Sequence, residues 1–392
     1  MDRGTDQGAI TGTEAKNSAS EDRPEDGRVY EGKRYICVPA GSDDSALADE
    51  MLQESPMQGW VRLAFTLGAQ GLSEAKSGKN IILVREKKPP HEPVALYALE
   101  RMRLHIDDVP SDVVYLGLLR VRPAFRGRIA VLCDGFASIP HFTRRFGLPA
   151  RYFTSIGADN SPARRVLEAG LKQLPRYVFQ GEMRSMAFST AIGRDYGLLE
   201  KARDEDWPEL EAFFNGLVRE FQYAPILDKD VLTRHAGELN IQDFLLLRQK
   251  GRLCACLALW DRSNSRRIVV AGYRRPLEAL RPAYNLWAHM RKLPFLPRPR
   301  TELRSIYLAF AAFAPEAMPL ARQCLLEALH KARREKKAAS ALMGLNAQSP
   351  LLEIFGRLPH FSYVTRIENV DWNKDAPAQP SALLVQPEIA LL

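Results

Sequence analysis

Cysteine is scarce in this 392-residue chain: there are five, odd in number and scattered at Cys37, Cys133, Cys254, Cys256 and Cys324. That excludes a disulfide framework and suits reduced thiols, most of them inside apolar runs. Cys254 and Cys256 alternate within a strand-like run, which is not the spacing of a zinc knuckle. His141, His289, His330 and His360 share no ligand spacing either, so no metal is expected. No stretch approaches the ~20 apolar residues of a membrane span and no signal peptide opens the chain, so a cytoplasmic protein is expected. Acidic residues fall short of basic ones, 47 against 55, for a net charge of +8. Such mild basicity is compatible with anionic ligands without being diagnostic of nucleic acid.

The length exceeds one typical domain. The opening segment, residues 1–30, is poor in apolar side chains and rich in Gly, Ser, Thr, Asp and Glu, which predicts disorder. Residues 373–392 are Pro- and Ala-rich and then turn apolar at Ala382-Leu383-Leu384-Val385. That tail is either a segment docked on the body or an edge strand. The regular part of the chain lies between these ends.

Its most informative stretch runs from Val113 to Leu171. The near-continuous apolar run Val113 to Val121 reads as a strand buried on both faces. The basic turn Arg122-Pro123-Ala124-Phe125-Arg126-Gly127-Arg128 follows it. A helical pattern comes next, with Ile129, Leu132, Cys133, Phe136 and Ile139 at three- and four-residue steps. A short strand, Tyr152 to Ile156, leads into Asn160-Ser161-Pro162-Ala163 and a further helix. A helix N-terminus behind a glycine and arginines is a place where a phosphate is favoured, because unpaired N–H groups and the macrodipole point at it.

This block resembles the core of the GNAT superfamily of N-acetyltransferases. The usual turn of that family is Arg/Gln-x-x-Gly-x-Gly/Ala, and Arg126-Gly127-Arg128-Ile129-Ala130 is one residue short of it. The order of elements repeats in the second half. Leu198 to Ala202 reads as a strand, and Asp204 caps a helix carrying Leu210, Phe213, Phe214, Leu217 and Phe221. Strands follow at Phe244 to Leu247, Cys254 to Trp260 and Arg267 to Tyr273. Leu303 to Phe313 mirrors the strand at Val113, with a long helix from Pro319 to Lys336, a strand at Ala341 to Leu345 and a closing strand at Tyr363 to Val370. Asn160-Ser161-Pro162 and Asn346-Ala347-Gln348-Ser349-Pro350 both place Ser-Pro at a helix start. The expected architecture is of the α/β class: two consecutive GNAT-like domains, residues 31–192 and 193–372, each a mixed, mostly antiparallel sheet flanked by helices.

The resemblance implies an acyltransferase moving an acyl group from acetyl-CoA or another acyl-CoA to a small-molecule or peptide amine. Carried over by position, the backbone at Leu119, Arg120 and Val121 faces the pantetheine arm, Arg126, Gly127 and Arg128 form the phosphate end, and Asn160 matches the family's Asn-x-x-Ala. The family's Tyr seven residues later is Leu167 here, which removes a proton donor. In the second half, Ala314-Pro315-Glu316-Ala317-Met318 has neither glycine nor base at the equivalent turn. The first half is therefore expected to hold the donor. Glu100, beside the third strand, and Tyr223, at the end of the second half's first helix, are the catalytic candidates. The same fold also admits an acyl-carrier protein or aminoacyl-tRNA as donor, or a binding module that has lost the chemistry.

One stretch stands apart from this plan. Residues 262–304 hold eleven Lys/Arg against two acids, interleaved with Tyr273, Tyr284, Trp287 and Phe295. Bases mixed with aromatics suit single-stranded nucleic acid or tRNA, an acidic carrier protein or an anionic membrane surface. A solvated, partly disordered insertion has the same composition.

Overall fold

The computed structural model describes residues 29–57, 60–68, 72, 78–373 and 381–392. Most of the expected disordered opening lies outside the described residues, but Tyr30 is already paired with Cys37. In the first half the elements run β1 (Tyr30–Glu31), β2 (Tyr35–Pro39), α1 (Ser45–Glu54), β3 (Val61–Leu67), β4 (Lys79–Glu86), β5 (Pro93–Ile106) and β6 (Val109–Val121). They continue with α2 (Ile129–Arg145), β7 (Tyr152–Gly157), α3 (Ser161–Leu167) and β8 (Arg176–Ser189). The second half holds β9 (Leu199–Lys201), α4 (Trp207–Val218), β10 (Ala224–Pro225), α5 (Lys229–Arg234), β11 (Phe244–Gln249), β12 (Arg252–Trp260), β13 (Arg266–Tyr273) and α6 (Arg275–Arg291). It ends with β14 (Ser305–Phe313), α7 (Ala321–Glu335), β15 (Ser340–Asn346), α8 (Leu351–Phe355) and β16 (His360–Asp371).

Among the described residues fourteen strands form one mixed sheet that runs through both halves. Its strands read as apolar runs because both faces are covered. In β11, Leu245 and Leu247 pack towards α7, while Phe244 and Leu246 pack towards α4. Side chains alternate across a strand, so one short run feeds two cores. Each buried leucine contributes about 1.5–3 kcal/mol.

The halves repeat a fastening device that no local pattern reveals. Asp134, buried in the middle of α2, accepts the backbone N–H groups of Lys33, Arg34 and Tyr35 at 3.1, 2.8 and 2.9 Å. Glu327 does the same from α7, accepting from Leu198 and Leu199 at 2.8 and 3.0 Å. A carboxylate acceptor for strand N–H groups is worth about 1.5–3 kcal/mol per bond. It ties the long helix of each half to that half's opening strand.

The halves are not independent bodies, because their closing strands are exchanged. β16 lies between β7 and β8, pairing with β7 from Thr365↔Gly157 to Val370↔Tyr152. β8 in turn pairs with β15 from Ser340↔Ser189 to Asn346↔Met183. The expected boundary at residue 192 thus separates segments of sequence, not sheets.

The strand expected at Arg267 to Tyr273 is present, and two features around it lie outside the sequence reading. The strand at β13 does not join the main sheet; it pairs with β3, whose alternating Val61, Leu63, Phe65 and Leu67 are not among the expected strands. The proline-spiked insertion beyond it contains the 17-residue helix α6. Pro276 falls in the first turn, where its missing N–H costs nothing, and Pro282 is tolerated inside the helix.

Candidate active site

β6 and β7 run parallel but pair only at Val114↔Tyr152 and Tyr115↔Phe153. Beyond those residues β6 keeps its antiparallel partner β5, and among the described residues no strand pairs with its other edge, where the Thr154 hydroxyl donates to the Leu116 carbonyl at 2.7 Å. A bulge interrupts the β5–β6 ladder between Leu96 and Ala98, and Leu118 opposite it has φ +54°. A leucine in the left-handed region costs of order 1 kcal/mol or more and persists where its surroundings demand it. Bulges re-aim a strand beside a site. Here the backbone from Leu116 to Arg120 lines a cavity of about 1110 Å³. That exceeds the usual range of small-molecule sites, about 300–1,000 Å³.

The cavity has an apolar branch and a polar wall. The branch runs beneath α2, where Val131, Gly135, Phe136 and Ile139 face Leu167 and Tyr177. The wall brings together Lys79, Glu100, Tyr115, Arg120, Ser155, Asp159 and Tyr363. Glu100 is 4% exposed, and its carboxylate is ion-paired with Lys79 Nζ at 3.0 Å. The Tyr115 hydroxyl is 2.6 Å from Ser155 Oγ, and burial raises its pKa. Arg120 donates to the Leu119 carbonyl at 2.9 Å, and burial lowers its pKa. Tyr363 comes from β16 and rests its hydroxyl against Gly157, where any Cβ would collide with it. Burial, with Asp159 adding its negative charge, pushes this hydroxyl up to about 12. It is therefore neutral at pH 7.

A separate basic recess is lined by Arg34, Tyr35, Gly127, Arg128, Ile129 and Ala130. It sits at the N-terminus of α2, whose first N–H groups and macrodipole favour an anion. Gly127 has φ +84° with open space where a Cβ would stand, and Arg128 lies over the Phe125 ring at 4.4 Å.

The second half repeats the splay and then closes it. β14 and β15 pair only from Ser305↔Ser340 to Tyr307↔Leu342, and Phe310 at φ +49° marks a bulge matching that at Leu118. The gap is filled by the chain itself. Glu388 accepts the Phe310 N–H at 2.8 Å and the Ala390 N–H at 3.0 Å. Gln386 accepts the Asn346 N–H at 2.8 Å, and Ile389 lies against Gly344. Arg262 and Arg266 bind the carbonyls of Ala390 and Leu392. The described part of the tail, residues 381–392, docks on the body, and Val385 also forms a parallel bridge with Gln222.

The docked tail carries a pH dependence. Glu388 is enclosed, though not wholly sealed, and burial pushes its carboxyl from 4.5 up to about 7. The native state then holds a proton that the unfolded chain releases, so this contribution to stability is complete below 4.5 and lost as pH rises through about 7. The loss is at most about 3 kcal/mol. Glu388→Gln is expected to unfold at pH 8 with a free energy about 1–3 kcal/mol above the parent and to flatten the pH dependence. Urea denaturation across a pH series reads both effects. A parent whose stability does not fall between about pH 5 and 8 contradicts the assignment.

No family model matches the chain, and no curated protein matches its sequence. Its fold does match solved structures. Saccharomyces cerevisiae N-myristoyltransferase with bound myristoyl-CoA superposes with a TM-score of 0.56 at 12% identity, over 93% of this chain and 91% of that one. A second crystal structure of that enzyme, with myristoyl-CoA and inhibitors, gives 0.55 at 12% identity over 93% and 86%. A GCN5-related glucosamine N-acetyltransferase region of a fungal multi-domain GH3 β-N-acetylglucosaminidase gives 0.55 at 16% identity, over 86% of this chain and 38% of that one. This is a tandem GNAT fold.

Within the tandem GNAT fold the expected site residues separate. Glu100, Leu119 and Asn160 line the cavity, and Asn160 also caps α3 by accepting the Ala163 N–H at 3.4 Å. Gly127 and Arg128 belong to the recess. Val121 is paired with Ala95, and Arg126 points to Ser55 Oγ at 3.1 Å instead of into either space. Tyr223 does not line the cavity; it stacks on Phe153 at 4.8 Å within an apolar cluster. Tyr115 and Tyr363 escape sequence reading. Tyr115 sits in an apolar run that reads as core, and Tyr363 arrives only through the strand exchange. Among the described residues no cluster of His, Cys, Asp and Glu could hold a metal, and no helix is long and apolar enough to cross a membrane. None of these likenesses points to an acyl-carrier protein or a tRNA.

Proposed function

We propose that this protein is an N-acyltransferase that takes its acyl group from an acyl-CoA bound in the first-half splay. The observation that carries the reading is the difference between two equivalent clefts. The first opens into the cavity and has a basic recess at its helix N-terminus. The second is occupied by the tail, with Glu388 on the Phe310 N–H. The pantetheine arm would lie along Leu116 to Arg120, with the phosphates towards Gly127, Arg128 and Arg34.

The acceptor nitrogen attacks the thioester carbonyl and gives its proton to the Glu100 carboxylate. When the carbon–sulfur bond of the tetrahedral intermediate breaks, the departing thiolate takes the proton of the Tyr363 hydroxyl. Tyr363 thus fills the role left vacant by Leu167. Tyr115, held by Ser155, positions this wall.

The apolar branch beneath α2 favours a long acyl chain over acetyl, as does the likeness to an enzyme with bound myristoyl-CoA. A Cβ at Gly135 would meet only Val84, at 3.8 Å, so a larger side chain there grows into the branch without clashing at its base. Gly135→Leu is expected to lower kcat/KM for a long-chain acyl-CoA about tenfold, the worth of one or two misplaced methylenes. Transfer from acetyl-CoA is expected to change little. Equal losses with both donors contradict the placement of the chain, and an inert parent with both leaves a non-catalytic module.

A further inference from the structure

The helix α6 carries two opposite faces, and only one is used by the fold. Leu277, Tyr284 and Ala288 face inwards, with Leu277 and Tyr284 lining the cavity. On the outward side Pro276, Ala279, Leu280, Ala283, Leu286, Trp287 and Met290 recur at three- and four-residue steps, and all are exposed. Met290, Leu286 and Leu280 are 69%, 68% and 61% exposed, and Trp60 beside the helix is 61% exposed. They are the four most exposed large apolar side chains among the described residues. Isolated surface apolar residues need no explanation, but a contiguous stripe does.

The charge around the stripe has one sign. From Arg274 to Arg300 there are seven bases, Arg274, Arg275, Arg281, Arg291, Lys292, Arg298 and Arg300, against the single acid Glu278. None of the seven forms an ion pair among the described residues. Arg274 lies over the Trp60 ring at 5.4 Å, which joins the β3 side to the helix. A helix with Trp, Leu and Met on one flank and uncompensated arginines around it suits the interface of an anionic bilayer. A protein groove would take the apolar stripe but gives no reason for the basic border.

Trp60 and Phe295, the latter 52% exposed, also line the cavity. The cavity therefore opens beside this patch. We propose that the α6 face docks the protein on an anionic phospholipid surface, with the cavity mouth turned towards the lipid so that an amphiphilic substrate can enter from the bilayer. The substrate clause rests on the acyl-transfer reading; the docking does not, because it is measured without substrate.

The test is co-sedimentation of the full chain with vesicles of phosphatidylcholine alone and of phosphatidylcholine with phosphatidylglycerol, alongside tryptophan emission. Two exposed double variants accompany the parent, Leu286→Glu with Met290→Glu, and Arg291→Glu with Lys292→Glu, each checked by circular dichroism. The parent is expected to bind the anionic vesicles at least about tenfold more tightly than the neutral ones, with a blue-shifted emission. Each double variant is expected to lose about tenfold or more, and added salt to weaken the parent. Absence of preference for anionic vesicles, or variants that bind like the parent, overturns the proposal. So does a concentration-dependent dimer in sedimentation that the same substitutions dissolve, since the face would then belong to a second copy.

Discussion

Glu100→Gln is expected to lower kcat for acyl transfer by about 10²- to 10⁴-fold, the usual worth of a positioned general base. Glutamine keeps the volume of the side chain on β5 and removes the acceptor for the amine proton. On the proposed placement acyl-CoA contacts the splay and the recess instead, so donor affinity is expected to stay within about twofold and the loss to fall on kcat. Glu100 is paired with Lys79 at 3.0 Å, and removing the negative charge from beside that cation has its own consequence. The double variant Glu100→Gln with Lys79→Met separates the two effects. If the base is what matters, restoring neutrality does not restore turnover. Recovery to within about threefold of the parent contradicts the catalytic role.

Tyr363→Phe is expected to cost about 10²-fold or more in kcat, because the thiolate then leaves without a proton donor. The hydroxyl, pushed up to about 12, remains protonated across the working range and lies against Gly157 at the end of β7. The diagnostic readout is the leaving group. With a thioester of an acidic aromatic thiol, which departs without protonation, the deficit of the variant is expected to shrink to a few-fold. A deficit of equal size with both thioesters assigns Tyr363 to packing. Tyr115→Phe serves as the comparison, since its hydroxyl is held by Ser155 and is expected to matter mainly for positioning.

Much of the fold is legible in the sequence because its signals are local. The buried strand at Val113, the three- and four-residue spacing of α2 and the Ser-Pro helix starts come from neighbouring residues, and the repeated order follows from them. What escapes is long-range. Nothing near residue 363 tells that its strand pairs with β7, some two hundred residues earlier in the chain. Nothing near Glu388 tells that it caps the bulge at Phe310. Glu100 is legible as a candidate because it flanks the apolar run Val94 to Leu99, where a base could sit. Tyr223 has an equally conspicuous sequence position, yet its ring is used to stack on Phe153. β3 is missed although Val61, Leu63, Phe65 and Leu67 alternate as in a strand; what no local pattern tells is that its partner is β13.

The recess at Arg128 also follows from a short motif, while its companion Arg34 is brought there by the fastening of β2 to Asp134. The two splays differ in what fills them and in the charge at the helix start that follows, and on the proposed reading that difference sets how many donors one chain can hold. Calorimetric titration with a long-chain acyl-CoA is the measurement to make. Saturable binding at one molecule per chain, weakened about tenfold or more by Arg128→Glu and unaffected by Glu388→Gln, is the expected result. Binding that is absent, that reaches two molecules per chain, or that ignores the charge at residue 128 would contradict a donor site in the first-half splay.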